Sequence, residues 1–315
     1  MENDRKTPAA PPTADTIQLM PVPGLAGLRV VGADAFTFLQ GQATCDLRRI
    51  DPTRSSLGAF CNPQGRVVAT FRILAREDGY LLLLAADLAE AVARRLQMYV
   101  LRARVEIQVT EIGLAGVAGP AAVRIHPLPE ETDAVTRIED LAWIRVLDRD
   151  PRWLVVGEPP RIEATWRELE TRPEVVVTGD TAWSLREIRS GVPTIHTATS
   201  ERFLPQMLNL DRIGGVSFDK GCYTGQEVIA RAQFRGQVKR CMYRLAGPLS
   251  QTPAPGEPLV DAGETAGQVI EAAPAGPMRE LLAVVRRDRA HSSTIRLEME
   301  PAIPLHRLDL SYTLP

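Results

Sequence analysis

The sequence predicts an α+β protein with two related α/β subdomains followed by a C-terminal β-barrel. Two patterns predict this fold class. The order strand–turn–strand–helix–strand occurs twice, over residues 67–109 and 142–177, which indicates an internal duplication. After residue 240 the chain falls into short strands separated by turns rich in proline and glycine, a pattern typical of a small barrel. With 315 residues and 44% hydrophobic content, the chain is long enough for two or three domains with cores.

The first subdomain has clear start signals for its helices. Asp34 is placed to cap a helix in which Phe36 and Leu39, three residues apart, face inward. Asp87 and Glu90 have the spacing of a capping box at the start of the next helix. The predicted elements are a strand at 28–32, a helix at 35–40, a hairpin with strands at 67–74 and 80–84, a helix from 87 to about 101, and a strand at 105–109.

The second subdomain repeats this order and adds one helix. That helix begins at Asp180 or Thr181 and runs to Ser190, where Gly191 is expected to end it. The other predicted elements are strands at 142–147 and 153–156, a helix at 162–170, a strand at 174–177, and barrel strands at 242–245, 267–271, 281–285 and 294–298.

These patterns divide the chain into a disordered tail at 1–16, a first α+β subdomain at 17–112, a second at 113–235 and a barrel domain at 236–315. The tail combines acidic residues with prolines, which fits neither a secretory signal nor a transit peptide, so we expect a cytoplasmic protein. The longest apolar run, from Tyr80 to Ala86, is far shorter than the roughly 20 residues of a membrane span. No membrane association is expected.

The four cysteines and four histidines show no ligand spacing. The cysteines (Cys45, Cys61, Cys222 and Cys241) include no CxxC pair, so neither a disulfide framework nor a zinc module is predicted. Scattered cysteines can still ligate an iron–sulfur cluster after folding, and that alternative stays open. We assign no metal site from the sequence.

The stretch from Phe203 to Arg240 concentrates the unusual residues of the chain. It contains the string KGCYTGQE, in which Cys222 lies among glycines and is therefore expected on a loop. From residue 218 to 240 there are five basic and two acidic residues, although the whole chain has a formal charge of -2. The stretch is thus locally basic and carries an accessible thiol.

The string KGCYTGQE, with FLPQMLNLDRIGGVSFD before it and ARAQFRG after it, closely resembles the signature of the YgfZ-type folate-binding proteins. These are relatives of the glycine-cleavage T-protein, an aminomethyltransferase. Weaker resemblance extends to GADAFTFLQGQATCDL and NPQGRVVATFRI, so it covers most of the chain from about Ile17 onward. The resemblance implies the three-domain, ring-like GcvT/YgfZ fold with a C-terminal barrel.

The resemblance also implies a function. It implies binding of tetrahydrofolate or a one-carbon derivative, and an accessory role in iron–sulfur cluster assembly or maintenance that supports tRNA-modifying iron–sulfur enzymes. The expected partners are iron–sulfur client enzymes or assembly proteins. Direct nucleic-acid binding is not expected, and we expect a monomer.

Cys222 is the residue through which this role is expected to act, because Lys-Gly-Cys is the defining motif of the resemblance. Lys220 lies two positions away and could favour the thiolate, so both are predicted as catalytic residues. The alternative is a structural thiol packed against the turn.

The predicted folate-binding residues combine one ring with polar side chains. A tryptophan can stack on a heterocycle, amides and carboxylates can pair with a pterin edge, and an arginine can bind glutamyl carboxylates. Each residue could instead be core, a loop brace or a solvated charge. A companion tryptophan of the relatives falls at about Leu25 here. The predicted residues are Trp183, Gln206, Asn209, Gln226, Glu227 and Arg231.

The chain departs from T-protein at two places. Ala69 and Thr70 stand where that enzyme has a pair of aspartates, and Arg189 stands where it has a pterin-recognising glutamate. Iminium chemistry needs a carboxylate, so we expect no aminomethyl transfer. Two alternatives stay open: a one-carbon transferase whose acid/base group has moved, for instance to Glu227, and an RNA-modification scaffold that uses the basic stretch.

Overall fold

The computed structural model describes residues 15–236 and 238–314, so residues 1–14 of the predicted tail lie outside the described residues. Within them the chain forms three β-sheets and five α-helices, and none of these helices is long and apolar enough to cross a membrane. The strands are Ile17–Pro21 (β1), Leu25–Val31 (β2), Ser56–Cys61 (β3), Val67–Arg76 (β4), Gly79–Ala85 (β5), Glu106–Thr110 (β6), Gly113–Ala118 (β7), Val135–Ile138 (β8), Leu141–Arg145 (β9), Arg152–Gly157 (β10), Val175–Val177 (β11), Arg240–Gly247 (β12), Pro258–Asp261 (β13), Glu264–Ala275 (β14), Met278–Arg286 (β15), Arg296–Leu297 (β16) and His306–Leu308 (β17). The helices are Ala35–Gln40 (α1), Ala86–Gln97 (α2), Pro159–Glu170 (α3), Ala182–Ser190 (α4) and Gln226–Phe234 (α5).

The two halves of the chain repeat one sheet topology, which confirms the predicted α+β fold with related subdomains. The first sheet has the strand order β3-β4-β5-β2-β6, and the second has β8-β9-β10-β7-β1-β11. The two orders correspond strand for strand, except that β1 is inserted between β7 and β11. This N-terminal strand pairs antiparallel with β7 and parallel with β11. It therefore completes the second sheet, although the sequence division placed it in the segment 17–112; the domain limits themselves stay a prediction.

Helix α2 begins within one residue of the predicted start and follows its predicted hydrophobic pattern, but its predicted cap and C-terminal end are wrong. The capping box is wrong, because the Asp87 carboxylate accepts a hydrogen bond from the backbone N–H of Thr197 at 2.9 Å and no side chain caps the helix. The helix also ends at Gln97, before the predicted limit near residue 101. Its inward face is formed by the buried residues Leu88, Val92 and Leu96.

Helix α1 shows the same contrast. Leu39 is buried as predicted, whereas Phe36 is 41% exposed, so the inward orientation predicted for Phe36 is wrong. A helix of six residues turns only a narrow face to the core. The Asp34 carboxylate does not cap the helix either; it accepts a hydrogen bond from the backbone N–H of Arg104 at 2.8 Å.

The third sheet, with the order β16-β13-β14-β15-β12-β17, forms the C-terminal barrel. A hydrogen bond from the backbone N–H of Leu305 to the carbonyl of Ile295, 2.7 Å long, joins its two edges. A β-bulge between Val269 and Glu271 interrupts β14 and changes the direction of its side chains. The buried side chain of Ile270, at the bulge, belongs to the same core as the first sheet. The barrel therefore packs directly on the first subdomain.

Candidate functional site

A cavity of about 260 Å³, which we call the central cavity, lies where the three sheets and α4 meet. Strands β2 to β5 form one wall, β10 and α4 form a second, and β14 of the barrel contributes to a third. Because the walls come from distant parts of the chain, the cavity exists only in the folded molecule. Its apolar lining includes Leu25, Leu57, Phe71, Leu83, Leu154 and Trp183. Its polar lining includes Thr70, Arg72, Glu187, His196 and Glu271.

Trp183 is both a core residue and part of the cavity wall. Its side chain is only 5% exposed, and the guanidinium carbon of Arg152 lies 4.3 Å from the ring centroid. The ring edge packs on Gly116, where an added Cβ would collide with Cε3 of the indole. One face and one edge of the indole are thus already occupied, so a ligand can contact only the part of the ring that lines the cavity.

Arg152 organises the charges behind this wall. The side chain is fully buried, with Nε 2.9 Å from Asp148 and Nη2 2.5 Å from Glu187. Asp148 also pairs with Arg186, at 3.1 Å. Glu187 therefore reaches the cavity as a carboxylate whose charge is balanced by a buried guanidinium.

Glu271 contributes a second carboxyl group from the bulge in β14. Its Oε2 atom is enclosed and has no hydrogen-bond partner within the described residues. Burial, and to a smaller extent the nearby Glu187 carboxylate, raise the pKa of Glu271 to about 8, against hydrogen bonds with Thr194 that lower it. At neutral pH this group is protonated and can donate a hydrogen bond into the cavity. Neither Glu187 nor Glu271 was predicted from the sequence, because neither lies in a local motif and only the bulge turns Glu271 toward the cavity.

The positions that differ from T-protein are accounted for by local contacts. The hydroxyl of Thr70 lines the cavity, but its proton is already used: it donates to the Pro193 carbonyl and accepts from the N–H of Ile195, each at 3.0 Å. Ala69 is fully buried. Arg189 does not line the cavity; it pairs with Glu280 of β15 at 2.8 Å, so its charge is neutralised at the interface with the barrel.

Gln206 and Asn209 brace the segment between the second subdomain and the barrel. The Gln206 amide donates to the Ile229 carbonyl at 2.8 Å. Asn209 donates to the Met242 carbonyl at 2.9 Å and accepts from the Cys241 thiol at 3.0 Å. Neither residue lines the central cavity.

The predicted folate residues of α5 lie elsewhere again. Gln226 is half-buried, and Glu227 and Arg231 are exposed. None of the three lines the central cavity with Trp183. The structure therefore brings only one of the six predicted folate residues to this cavity, and the polar groups beside it are Glu187, Glu271 and their neighbours.

The loop that carries Cys222 is fixed by Lys220. The Lys220 ammonium is buried and donates to the carbonyls of Ala43 and Cys45, both at 2.7 Å. Burial lowers the pKa of Lys220 to about 8. Cys222 is exposed, whereas Cys45, Cys61 and Cys241 are buried. Lys220 thus anchors the loop to the first subdomain and leaves the Cys222 thiol at the surface.

The two most distinctive strings of the sequence meet in space. A Cβ at Gly225 of the KGCYTGQE string would lie 2.5 Å from the carbonyl of Asn62, in the NPQG turn. A Cβ at Gly65, the last residue of that turn, would lie 3.0 Å from Val228 of α5. Both glycines have positive φ, +83° and +72°. The close packing of the two backbones therefore requires glycine at both positions.

Comparison with known proteins gives the family. A scan against protein-family models finds no match. The chain is 31% identical over 293 residues to the tRNA-modifying protein YgfZ of Photobacterium profundum, and the match covers 91% of this chain and 89% of that protein. It is 33% identical over 238 residues to the tRNA-modifying protein YgfZ of Hamiltonella defensa, covering 74% of this chain and 70% of the relative. The chain belongs to the YgfZ family.

A solved structure shows how far the fold of this YgfZ family member is shared. The glycine cleavage system aminomethyltransferase T from Bartonella henselae matches it with a TM-score of 0.74 and 16% identity, over 93% of this chain and 85% of that one. At this identity the likeness concerns the fold alone. The YgfZ chain has the GcvT-like fold that the resemblance implied.

Proposed function

We propose that this YgfZ family member binds tetrahydrofolate or a one-carbon derivative in the central cavity. Through Cys222 it would serve as an accessory factor in iron–sulfur cluster assembly or maintenance for tRNA-modifying enzymes in the cytoplasm, acting as a monomer. The observation that carries the proposal is the central cavity itself. Among the described residues, Trp183 and the unpartnered carboxyl oxygen of Glu271 line this same cavity from different walls.

The chemistry of this wall suits the ring of a folate. The heterocycle is flat, and its apolar faces match the apolar lining of the cavity. Its N–H donors match the Glu187 carboxylate, and its carbonyl acceptor matches the protonated carboxyl of Glu271. A ligand acceptor facing Oε2 of the protonated Glu271 would satisfy a buried atom that otherwise destabilises the fold. The cavity, at about 260 Å³, is smaller than the roughly 300 to 1,000 Å³ of typical ligand sites, so the glutamyl tail would extend outside.

The exposed Cys222 thiol supports contact with a partner protein. The loop is held by the buried Lys220 ammonium, so the thiol is presented from a fixed position. Functional groups are commonly carried on loops held by a rigid scaffold. Iron–sulfur client enzymes and assembly proteins, whose clusters are bound by thiolates, are the proposed partners.

The folate proposal is tested by anaerobic calorimetric titration with tetrahydrofolate and its methylene form. The wild type should bind saturably, and Trp183→Ala should lose about 1 to 3 kcal/mol of binding free energy if the ring stacks on the heterocycle. Trp166→Ala is the matched control, since Trp166 lies on α3, packs against the core of the second sheet and does not line the cavity. Absence of binding by the wild type would overturn the proposal.

A second candidate function is a tetrahydrofolate-dependent one-carbon transferase, and Glu271 is the observation that favours it. Glu227, the relocated acid/base group considered from the sequence, is exposed and does not line the cavity. Glu271 does line it and has a pKa of about 8, suited to proton transfer near neutral pH. Ammonia release from an aminomethyl-loaded carrier protein, dependent on tetrahydrofolate and lost in Glu271→Gln, would establish this activity. No release above a no-enzyme control would exclude it.

A further inference from the structure

A second recess, which we call the basic cleft, lies between α5 and the start of the barrel. Its volume is about 880 Å³. It shares no lining residue with the central cavity, and the segment 209–211 separates the two: Leu210 lines the cavity, whereas Asn209 and Asp211 line the cleft. The basic cleft is thus a separate site on the other side of one chain segment.

The basic cleft carries a net positive charge that its own acids do not balance. Its two acidic residues are already paired, Asp211 with Arg212 at 3.4 Å and Asp288 with Arg286 at 2.7 Å. Its three remaining basic residues form no ion pair within the described residues. These are Lys239, Arg240 and Arg287.

The strand register forces these cations together. Arg240 at the start of β12 pairs directly with Arg286 at the end of β15, and the carbonyl of Lys239 accepts the N–H of Arg287 at 2.9 Å. Like charges directly opposite each other destabilise a sheet. Arg286 is offset by Asp288, but Lys239, Arg240 and Arg287 lie beside it without an ion pair among the described residues. These three cations at one end of a ladder therefore indicate a place where an anion offsets the repulsion.

Two further cations flank, along the chain, the part of α5 that lines the cleft: Arg231 lies on α5 and Arg235 directly follows it. Arg231 and Arg235, four residues apart, are exposed and form no ion pair within residues 15–236 and 238–314. Phe234 is 71% exposed, and its ring lies edge-on to Phe218 with 5.7 Å between centroids. A small carboxylate would need one or two of these cations. An extended row of cations beside an exposed aromatic ring matches a polyanion that carries flat bases.

We propose that the basic cleft and the adjoining residues of α5 bind the phosphodiester backbone of a single-stranded nucleic acid, with Phe234 stacking on a base. This departs from the sequence-based expectation that nucleic acid is not bound directly. It does not depend on folate binding, because the two recesses have separate linings.

The test is fluorescence anisotropy of the full chain with labelled twelve-nucleotide oligouridine and oligothymidine over a range of salt concentrations. The variant Lys239→Gln/Arg240→Gln/Arg287→Gln should bind at least tenfold more weakly at about 0.1 M salt. Its plot of log K against log salt should be shallower by about 2, because each phosphate contact to a single strand contributes about 0.7. The variant Phe234→Ala should bind at least about fivefold more weakly with the salt slope unchanged.

A matched control removes the same charge elsewhere. Arg49, Arg102 and Arg202 are exposed and form no side-chain ion pair in the described part of the chain, so their triple Gln variant should bind within about twofold of the wild type. Circular dichroism and Tm establish that each variant is folded. Tighter binding of oligouridine than of oligothymidine would indicate a preference for RNA, and equal binding would indicate that single-stranded RNA and DNA are both bound. Either result supports the proposal. No binding by the wild type, or equal losses in the cleft and control variants, would overturn it.

Discussion

The central cavity and the motif segment 220–240 differ in how their charged groups are balanced: those of the cavity are buried and paired or neutralised, whereas Lys239 and Arg240 of the motif segment are exposed. In the cavity wall Arg152 is fully buried and paired on two sides, and Glu271 avoids a net charge by keeping its proton. In the motif segment Lys239 and Arg240 carry charges that form no ion pair within the described residues. Burial makes an unpaired charge costly, whereas water tolerates it. The cavity is therefore suited to an uncharged ring that carries both hydrogen-bond donors and acceptors, and the exposed cations to anions and partner proteins.

The largest expected effect comes from breaking the buried charge network. Arg152→Met leaves Glu187 without its buried cation and uncovers one face of Trp183. Removing one partner of a buried ion pair typically lowers the free energy of unfolding by about 3 to 5 kcal/mol. Urea denaturation measures this loss.

The control for this comparison is an exposed pair. Arg94 and Glu90 lie 3.9 Å apart on α2, and both side chains are 70% exposed. Arg94→Met should therefore change the free energy of unfolding by less than about 1 kcal/mol. Equal losses of unfolding free energy in the two variants would contradict the prediction that the buried Arg152 ion pairs stabilise the fold more than an exposed pair does.

A smaller loss is expected at the buried cation of the KGCYTGQE string. Lys220→Met removes the donor to the carbonyls of Ala43 and Cys45 and should cost about 2 kcal/mol of unfolding free energy. Lys239→Met, at the surface of the basic cleft, is the control and should stay within about 0.5 kcal/mol of the wild type. A Lys220 variant as stable as the Lys239 variant would contradict the anchoring role.

Glu271, in the cavity wall, predicts a pH dependence of stability below about pH 8. The folded carboxyl keeps its proton up to about pH 8, whereas in the unfolded chain it loses the proton near its ordinary pKa of 4.5. Between these values the folded state binds more protons, so the free energy of unfolding falls as pH rises, by at most about 1.4 kcal/mol per pH unit.

The measurement is the free energy of unfolding at about pH 5.5, 6.5 and 7.5 for wild type and Glu271→Gln. The variant should lose the downward slope that Glu271 contributes. Lys220, whose folded pKa is about 8 against an ordinary 10.5, acts in the opposite direction and above this range, so it does not interfere. The exposed Glu90→Gln is the control, and identical slopes in all three proteins would contradict the prediction.

The smallest effect on stability is expected at Cys222. Cys222→Ala should change the free energy of unfolding by less than about 0.5 kcal/mol and leave folate affinity intact, because the thiol is exposed. The same variant should fail to support iron–sulfur enzymes in cells that lack the protein. Cys241→Ala is the opposite control: it loses a buried thiol that bonds Asn209, so it should cost stability. Full complementation by Cys222→Ala would contradict the functional role.

The parts of the fold that depend on local pattern were predictable from the sequence. Hydrophobic periodicity placed α2, the β4–β5 hairpin and four of the barrel strands, and Gly191 ends α4 with a φ of +73°, as predicted. The capping box predicted at Asp87 was wrong because the Asp87 carboxylate binds Thr197, a residue 110 positions away. The strands that were not predicted are β1, β3, β7, β8, β13 and β17.

For the site, consecutive residues were enough to predict the surface thiol on a glycine-rich loop, the local excess of cations and the family resemblance. Which groups share the central cavity follows from the packing of the chain in three dimensions. Arg152, Glu187 and Glu271 come from β10, α4 and a bulge in β14, and they meet because the barrel packs on the two repeated sheets. Charge pairing and pKa depend on burial and on distances between atoms, and the order of residues along the chain does not encode either quantity locally.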